Sequence, residues 1–438
     1  MELSGWGRYP RVQGTLTAPR DAAALAALLA TAPPLIARGL GRAYGDSAVG
    51  AQTVSMRHFN RMIAFDPATG QLVAEAGVSL AEVIDAFLPR GWFPSVTPGT
   101  KFVTLGGAIA ADVHGKNHHS EGAFSAFTDW LDLMGPDGSV TRCSRTENPE
   151  LFQNTLGGMG LTGIVLRAAI RLRPVETGWI RQTMIPTRNL DEALEVFEET
   201  LAATYCVAWI DCLGTGAHLG RSLVMTGEHA TLNEAKRPAA PFDTPRHRNI
   251  PFPVDLPGFA LNPYTVRAFN ALYYRMGARK AGEGLVDWDS YFYPLDAVQN
   301  WNRLYGRRGF MQFQCALPLD TGRAGLTQLL EAIARSGAAS FLAVLKRFGA
   351  QDSAVSFPME GYTLALDFPM TPRSLALMPE LDRITIDHGG RFYLAKDSRM
   401  SPETLRRTDP RWAEFSRWRQ AQGMDTHFAS AQSQRLEL

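Results

Sequence analysis

Three glycine-rich segments in the first 170 residues constrain this chain more than any other feature of its sequence. The first, "ARGLGRAYGDS", runs from Ala37 to Ser47 and directly follows the strand-like segment "PLIARG". The second is "TPGTKFVTLGGAIAADVHGKNHH", and the third is "TLGGMGLTGIVLRA". Glycine lets successive backbone N–H groups turn toward a ligand and approach it closely, so such loops can hold a pyrophosphate. Three of them in one α/β region predict an extended ligand, and a dinucleotide is the natural candidate.

The first loop differs from the two common nucleotide-binding motifs. A Rossmann fingerprint requires G-x-G-x-x-G opening into a helix, whereas Gly39, Gly41 and Gly45 are spaced G-x-G-x-x-x-G. A Walker A loop ends in Gly-Lys-Ser/Thr, which is absent here. Taken alone, the loop could also be a purely structural turn.

A cluster of histidines follows the second loop. The stretch "AIAADVHGKNHHSEG" holds His114, His118 and His119, and the first two are four residues apart, the helical spacing of zinc ligands. Gly115 and Asn117 between them favour a loop, and no cysteine or carboxylate pair stands at ligand spacing nearby. We therefore predict no metal site, while an ordinary surface loop stays open as an alternative.

Composition narrows the class of protein. The chain of 438 residues is long enough for two domains. A net charge of +1 gives no electrostatic reason to expect nucleic acid as a partner. The N-terminus lacks the apolar stretch of a signal peptide, and the four cysteines form no CxxC pair, which fits a cytoplasmic protein.

The two halves of the chain differ in their predicted elements. Up to residue 175, "RMIAFDPATGQLVAEAG" and "LDLMGPDGSVTRC" predict hairpins, and Ser79 with Glu82 predicts a capping box before "LAEVIDAFL". Beyond it, polar and apolar residues alternate in four strand-like segments, "YCVAWIDCL", "GFMQFQCALP", "FLAVLKRFG" and "GYTLALDFPM". They predict an antiparallel sheet with one functional face. Glycine returns near residue 390 in "HGGRFYLAKDSR", and Ser401 is expected to start a helix.

Five segments together closely resemble the decaprenylphosphoryl-β-D-ribose 2'-oxidase family. They are "GLGRAYGD", "PGTKFVTLGGAIAADVHGKNHHSEG", "GGMGLTGI", "SFLAVLKRFG" and "YLAKDSR", and the resemblance covers effectively the whole chain. It implies an α+β, two-domain vanillyl-alcohol-oxidase fold with a PCMH-type FAD-binding domain and an antiparallel-sheet substrate domain. Residues 1–175 and 391–438 would form the FAD-binding domain, and residues 176–390 the substrate-binding domain.

The resemblance also implies a non-covalent FAD site built by the three loops. The first loop would wrap the pyrophosphate, the other two would line the opposite side, and Tyr393 would approach the flavin. The expected cofactor-binding residues are Ala37, Arg38, Gly39, Leu40, Gly41, Arg42, Ala43, Tyr44, Gly45, Asp46, Ser47, Gly99, Thr104, Leu105, Gly106, Gly107, Ala111, Asp112, Val113, His114, Ile164, Val165 and Tyr393.

By the same resemblance, catalysis and substrate binding lie at the flavin ring. The expected catalytic residues are Lys396, His114 and Lys116, whereas His118 and His119 are expected to hydrogen-bond locally. A cation such as Lys396 would stabilise the negative charge that hydride transfer builds on the flavin. The expected substrate-binding residues are Trp209, Gln312, Gln314, Lys346, Phe348 and Ala365.

The resemblance implies a specific reaction. An FAD-dependent enzyme would oxidise the 2'-hydroxyl of a polyprenyl-phosphoryl-β-D-ribose to the 2'-keto sugar. This is the first half of an epimerisation to the arabinose donor of cell-envelope glycan synthesis. An NAD-dependent keto-sugar reductase would complete the epimerisation, and peripheral association with the inner face of the membrane stays open. The alternatives are a soluble sugar, alditol or sugar-lactone oxidase of the same fold, and a non-catalytic flavin-binding protein.

The chain departs from the family pattern in "GYTLALDFP". Ala365 stands where actinobacterial members carry a cysteine near the flavin, and Thr363 replaces an asparagine. Hydride transfer needs no thiol, so the expected oxidation is unaffected. The resemblance now defines the sugar and the length of the prenyl chain less specifically.

Overall fold

The strands of the protein form two groups of sheets, one on each side of a central cavity. The computed structural model describes residues 1–245, 250–257, 261–338, 340 and 342–438. Within those residues, the helices are α1 (Ala22–Thr31), α2 (Leu80–Phe87), α3 (Leu105–Ala110), α4 (His118–Glu121), α5 (Pro149–Thr155), α6 (Leu190–Glu199), α7 (Pro263–Ala278), α8 (Trp288–Phe292), α9 (Leu319–Ser336), α10 (Pro372–Asp387), α11 (Pro402–Thr408), α12 (Arg411–Ala421) and α13 (Ala431–Leu436).

The first group of sheets is built from the N-terminal part of the chain. Its strands are β1 (Glu2–Ser4), β2 (Arg11–Gln13), β3 (Thr15–Thr17), β4 (Leu35–Arg38), β5 (Gln52–Ser55), β6 (Met62–Asp66), β7 (Gln71–Glu75), β8 (Trp92–Pro94), β9 (Thr128–Met134), β10 (Val140–Ser144) and β11 (Ile164–Pro174). Strands β3, β5 and β4 form a parallel sheet. Strands β10, β9, β11, β7 and β6 follow one another in an antiparallel sheet, and β8 also pairs with β11.

The local sequence signals of this part are confirmed. Strands β6 and β7 form the first predicted hairpin, and β9 and β10 form the second. Ser79 and Glu82 form the reciprocal capping box at the start of α2. These elements arise where predicted because a capping residue or a turn acts over only a few residues of chain.

The second group of sheets is dominated by one antiparallel sheet of eight strands in the order β16-β12-β14-β13-β19-β20-β18-β21. The four predicted strands lie side by side at its centre as β13, β19, β20 and β18, which confirms the antiparallel sheet. The strands of this group are β12 (Trp179–Thr187), β13 (Tyr205–Ile210), β14 (Ser222–His229), β15 (Ile250–Pro251), β16 (Gly282–Asp287), β17 (Val298–Gln299), β18 (Phe310–Pro318), β19 (Ala343–Phe348), β20 (Gly361–Pro369) and β21 (Arg391–Phe392).

The large sheet has one apolar face and one polar face. Phe313, Leu345 and Leu364 alternate onto the apolar face, where they pack in one core cluster with residues of α6, α9 and α10. Burial of each such side chain stabilises the fold by about 1.5–3 kcal/mol. Gln314 and Lys346 point the other way, because successive side chains of a strand face opposite sides. The polar face therefore looks toward the first group of sheets.

The C-terminal segment connects the two groups of sheets. Strand β21 pairs with β18, so the large sheet ends at Phe392, two residues beyond the predicted boundary at residue 390. The chain then returns to the parallel sheet, where Leu35 donates its N–H to the His427 carbonyl at 2.9 Å and bridges to Phe428. Throughout the described ranges, no helix is long and apolar enough to cross a bilayer.

Candidate active site

A cavity of about 330 Å³ lies between the two groups of sheets. Its walls come from residues within 37–48, 98–114 and 159–165, from strands β18, β19 and β20, and from residues 393–396. The three glycine loops and the polar face of the large sheet thus meet at one site, although they are separated by up to 330 residues of sequence.

The first loop is shaped by neighbours that leave no room for side chains. A Cβ on Gly39 would lie 2.2 Å from the Thr104 hydroxyl oxygen, and one on Gly45 would lie 2.0 Å from the Asp397 carbonyl oxygen. Gly41 adopts a φ of +66°, which glycine accepts without strain. Glycine at these positions lets the first loop pack directly on the second loop and on the C-terminal segment.

The second and third loops contribute backbone and small side chains to the cavity. Thr104 caps α3 by accepting the Gly107 N–H at 3.2 Å. A Cβ on Gly99 would meet no atom within 4 Å, so this wall faces open space inside the cavity. In the third loop, Gly163 and Val165 line the cavity, while Ile164 packs in a core cluster behind it.

Most of the expected cofactor-binding residues line the cavity, and six lie behind the lining. Arg38 donates to the Ser4 carbonyl at 2.9 Å, and Asp46 pairs with Arg435 at 2.8 Å. Asp112 is fully buried and accepts hydrogen bonds from Ser356 and other donors. Such groups hold the loops in place rather than face the cavity. The six residues are Arg38, Gly45, Asp46, Leu105, Asp112 and Ile164.

The charge and shape of the lining fit an FAD molecule. Among the described residues, the lining contains the basic side chains Arg42, Lys346 and Lys396 but only one carboxylate, Asp367, so an anionic diphosphate is favoured. The Arg42 guanidinium lies 4.1 Å from the Trp6 ring centroid, and its Nε is buried with no hydrogen-bond partner in the described part of the chain. A phosphate oxygen would satisfy that donor, and the glycine-lined walls leave space for flat rings.

At the polar end of the cavity, His114 connects two strands of the large sheet. Its Nδ1 lies 2.8 Å from the Lys346 Nζ, and its Nε2 lies 3.2 Å from the Gln314 carboxamide nitrogen. The Thr363 hydroxyl donates to the Cys315 carbonyl and therefore accepts from the Gln314 amide, whose second N–H reaches His114. Nε2 of His114 is then an acceptor, and a neutral imidazole carries its one proton on Nδ1.

In this arrangement the Nδ1–H group donates a hydrogen bond to the Lys346 amine, which can accept it only in its uncharged form. Burial lowers the pKa of Lys346 to about 7, and Lys396 and Lys116 add to the effect. Burial and the charge of Lys346 also hold the pKa of His114 well below 6.5, so the imidazole is neutral. Lys346 is therefore balanced between its charged and uncharged forms near neutral pH, and an anion beside it would favour the charged form.

Lys396 and Asp367 are two further titratable side chains of the cavity wall, and each affects the pKa of the other. The Lys396 ammonium lies 3.7 Å from the Tyr44 ring centroid. Burial lowers the pKa of Lys396 to about 8, and Asp367 opposes this shift. Asp367 is 1% exposed. One of its oxygens accepts a hydrogen bond from Gln312, and the other is buried without a partner among the described residues. Burial raises the pKa of Asp367 to about 7, against the effects of Gln312 and Lys396.

Asp367 was not among the residues expected from the sequence. The alternation in "GYTLALDFP" could have identified it, because Thr363, Ala365 and Asp367 are two residues apart and share the cavity face of β20. Opposite them on β18 stand Gln314, paired with Ala365, and Gln312, paired with Asp367. Both glutamines line the cavity, as their spacing of two residues predicts.

Of the expected catalytic and substrate-binding residues, three do not reach the cavity lining. The Lys116 ammonium donates to the Tyr291 carbonyl and lies 4.2 Å from the Tyr291 ring centroid. Trp209 lies on β13, one strand beyond the lining. Phe348 packs its ring 4.7 Å from that of His114 and thus supports it.

The other two histidines of the cluster hydrogen-bond to neighbouring groups. His118 Nε2 lies 2.8 Å from the Gln351 carboxamide oxygen, and His119 Nε2 lies 2.8 Å from the Ala203 carbonyl oxygen. In the part of the chain that the structure describes, no three His, Cys, Asp or Glu side chains are grouped so that they could hold a metal ion.

The chain is similar to several known proteins. A family model described as an FAD binding domain matches residues 15–144. The chain is 36% identical to a decaprenylphosphoryl-beta-D-ribose oxidase of Mycolicibacterium smegmatis, with 100% of this chain and 97% of the relative covered. It is 32% identical to an uncharacterized protein in the mprA 5'region of Streptomyces coelicolor, covering 82% of this chain and 100% of the relative. A shorter match, over 35% of this chain and 30% of the relative, is 30% identical to cytokinin dehydrogenase 5 of Arabidopsis thaliana.

Proposed function

The chain belongs to the decaprenylphosphoryl-β-D-ribose oxidase family, and from this membership we propose that it oxidises the 2'-hydroxyl of a polyprenyl-phosphoryl-β-D-ribose. It is an FAD-dependent oxidoreductase that acts on a hydroxyl group. The product is the 2'-keto sugar, which an NAD-dependent reductase converts to the arabinose epimer used in cell-envelope glycans.

The observation that carries this proposal is the polar face of the large sheet, which opens onto the same cavity as the glycine loops. Carboxamides such as Gln312 and Gln314 suit sugar hydroxyls, which both donate and accept hydrogen bonds. Lys346 suits the phosphate, since an anion would favour its charged form. A sugar phosphate would therefore satisfy groups that otherwise lie buried in the cavity wall.

Oxidation of a secondary alcohol breaks an O–H bond and a C–H bond and forms a C=O bond. FAD, when bound, accepts the hydride and its two electrons from the carbon. The hydroxyl proton needs a base, and we assign this role to Asp367. Its second oxygen lies in the cavity wall without a partner among the described residues, and at neutral pH a large fraction of the carboxylate is unprotonated.

Lys396 and His114 act at the same end of the cavity, one through its charge and the other through its hydrogen bonds. The Lys396 ammonium is held against the Tyr44 ring and supplies positive charge where the oxidation builds negative charge. His114 stays neutral and fixes Gln314 and Lys346 by hydrogen bonds, so it positions the groups that hold the sugar phosphate. Lys116 is directed to Tyr291 and stabilises the loop below the site.

The alternative is an oxidase of free sugars, alditols or sugar lactones. Anaerobic bleaching of the flavin distinguishes the two, with a panel of polyprenyl-phosphoryl pentoses, the same pentose phosphates without lipid, and free polyols. Bleaching only by the lipid-linked ribose supports the proposal, whereas bleaching by a free polyol refutes it. Lys346→Met should weaken binding of every phosphorylated substrate. Lys236→Met, which changes an exposed lysine outside both the cavity lining and α7, serves as the matched control.

A further inference from the structure

Helix α7 carries an unusual concentration of exposed apolar side chains. Tyr264, Leu272 and Met276 are 81%, 59% and 52% exposed, and Phe269 and Tyr273 are also exposed. Phe269, Leu272, Tyr273 and Met276 recur at intervals of three, one and three residues, which places them on one side of the helix. The adjoining side is buried through Val266 and Asn270. The helix is therefore amphipathic, with an additional apolar surface turned to the outside.

Basic residues accompany this apolar surface. Arg267 and Arg275 lie within α7, and Arg279 and Lys280 follow its end, all of them exposed. The helix Pro263–Ala278 contains no acidic residue. An exposed apolar strip flanked by arginine and lysine is complementary to a surface with anionic head groups above an apolar interior.

Helix α7 also lies beside the cavity. The Tyr273 ring is 4.8 Å from that of Trp209, and Trp209 is the strand partner of Val344, which lines the cavity. Leu261, just before the helix, packs against the cluster that contains Trp301, another lining residue. Helix α7 thus packs close behind the cavity wall through two separate contacts.

We propose that the outward surface of α7, formed by Phe269, Leu272, Tyr273 and Met276, docks on an anionic lipid bilayer. The inference rests on the proposed function, because a polyprenyl-linked substrate remains in a bilayer while its sugar phosphate enters the cavity. Docking through α7 brings the cavity to the membrane surface, so the lipid chain stays in apolar surroundings along its length.

The test measures binding of the FAD-loaded full-length protein to vesicles that contain no substrate. Vesicles of phosphatidylcholine alone are compared with vesicles containing 30% phosphatidylglycerol, by co-sedimentation. We expect binding to the anionic vesicles and at least a 10-fold lower partition coefficient for the pair Leu272→Glu and Met276→Glu. Arg267→Gln with Arg275→Gln should lower it by about 30-fold, since each basic residue near an anionic surface contributes about fivefold. Leu375→Glu, on an exposed position of α10 outside the patch, should leave it unchanged.

Flavin absorbance and thermal unfolding verify that each variant is folded and loaded. Wild-type protein that does not bind anionic vesicles would overturn the proposal, and so would a Leu272/Met276 variant that binds like wild type. Equal binding to both kinds of vesicle would overturn the anionic preference. If the wild type is a dimer in analytical ultracentrifugation and the Leu272/Met276 variant is a monomer, the surface instead binds a second copy of the chain.

Activity separates this inference from the proposed function. On a short-chain, water-soluble analogue of the lipid-linked ribose, the Leu272/Met276 variant should turn over at the wild-type rate, and on long-chain substrate in vesicles it should be at least 10-fold slower. If wild type binds anionic vesicles but oxidises neither substrate, the proposed function fails while the docking surface stands.

Discussion

Replacement of Asp367 by asparagine tests the assignment of the proton acceptor. Asparagine has nearly the same size and can still accept a hydrogen bond from Gln312, but it cannot take up a proton. A positioned general base typically contributes about 10² to 10⁴ in rate. We therefore expect Asp367→Asn to slow reduction of the flavin by substrate about 10²-fold or more, with FAD still bound.

The pKa of Asp367 also predicts how the rate of flavin reduction changes with pH. The carboxylate is the active form, and burial raises its pKa from the ordinary 3.8 to about 7. The rate of flavin reduction in wild type should thus rise with pH through about 7 and level off above it, while the variant should lack this rise. Gln312→Leu removes a hydrogen bond that lowers the pKa of Asp367, so its rise should move to higher pH.

Stability offers a readout that does not depend on substrate. Because the folded protein raises the pKa of Asp367, the unfolded chain loses this proton first, and the free energy of unfolding falls as pH rises from about 4 to 7. The loss reaches up to about 4 kcal/mol above pH 7. Asp367→Asn should therefore melt at a higher temperature than wild type at pH 8, but not at pH 4.5.

Single-turnover bleaching of the flavin in anaerobic stopped flow, measured from pH 5.5 to 9, is the assay. A variant that bleaches at the wild-type rate with the wild-type pH profile would refute the assignment. It would direct attention to Lys346, whose uncharged form next to His114 is the other proton acceptor in the cavity wall.

Three further predictions concern the cofactor end of the site. Lys396→Ala should slow flavin bleaching by ~10² to 10³, or about 3 kcal/mol, with FAD retained, and Lys396→Arg should recover only part of this rate. An unchanged rate in stopped flow would show that Lys396 does not contribute to the reaction. FAD should be bound non-covalently, because the first loop has no histidine and no cysteine occurs between Ala37 and His119. Acid precipitation should therefore release all of the yellow flavin into the supernatant, and flavin in the pellet would contradict this prediction. Ala365→Cys should make the enzyme sensitive to covalent inactivation by nitroaromatics that the flavin reduces, whereas a wild-type adduct in intact-mass measurement would show that the expected match of Ala365 to the family's cysteine is wrong.

Much of the local structure was predictable from the sequence, and the physical reason is the short range of the signals. The capping box of Ser79 and Glu82 involves residues three apart, and each hairpin turns within a few residues. The alternation in "GYTLALDFP" shows which side chains share a face, because the period of a strand is two residues. The motifs of the three loops and of "AKDSR" were sufficient to predict an FAD enzyme of this family, which the comparisons confirm.

The tertiary structure decided which of these local features meet. The strand order β13-β19-β20-β18 places Asp367 and Lys346 in the same cavity wall as Lys396. The periodicity of the sequence does not predict that order. Likewise Lys116 belongs to the most specific motif, yet its ammonium turns to the Tyr291 carbonyl, 175 residues away in sequence. Orientation of a side chain and pKa depend on burial and on charges brought together by distant strands. The sequence by itself therefore determined the elements, the cofactor and the reaction class, while only the packing of the two groups of sheets decided which polar groups face the cavity.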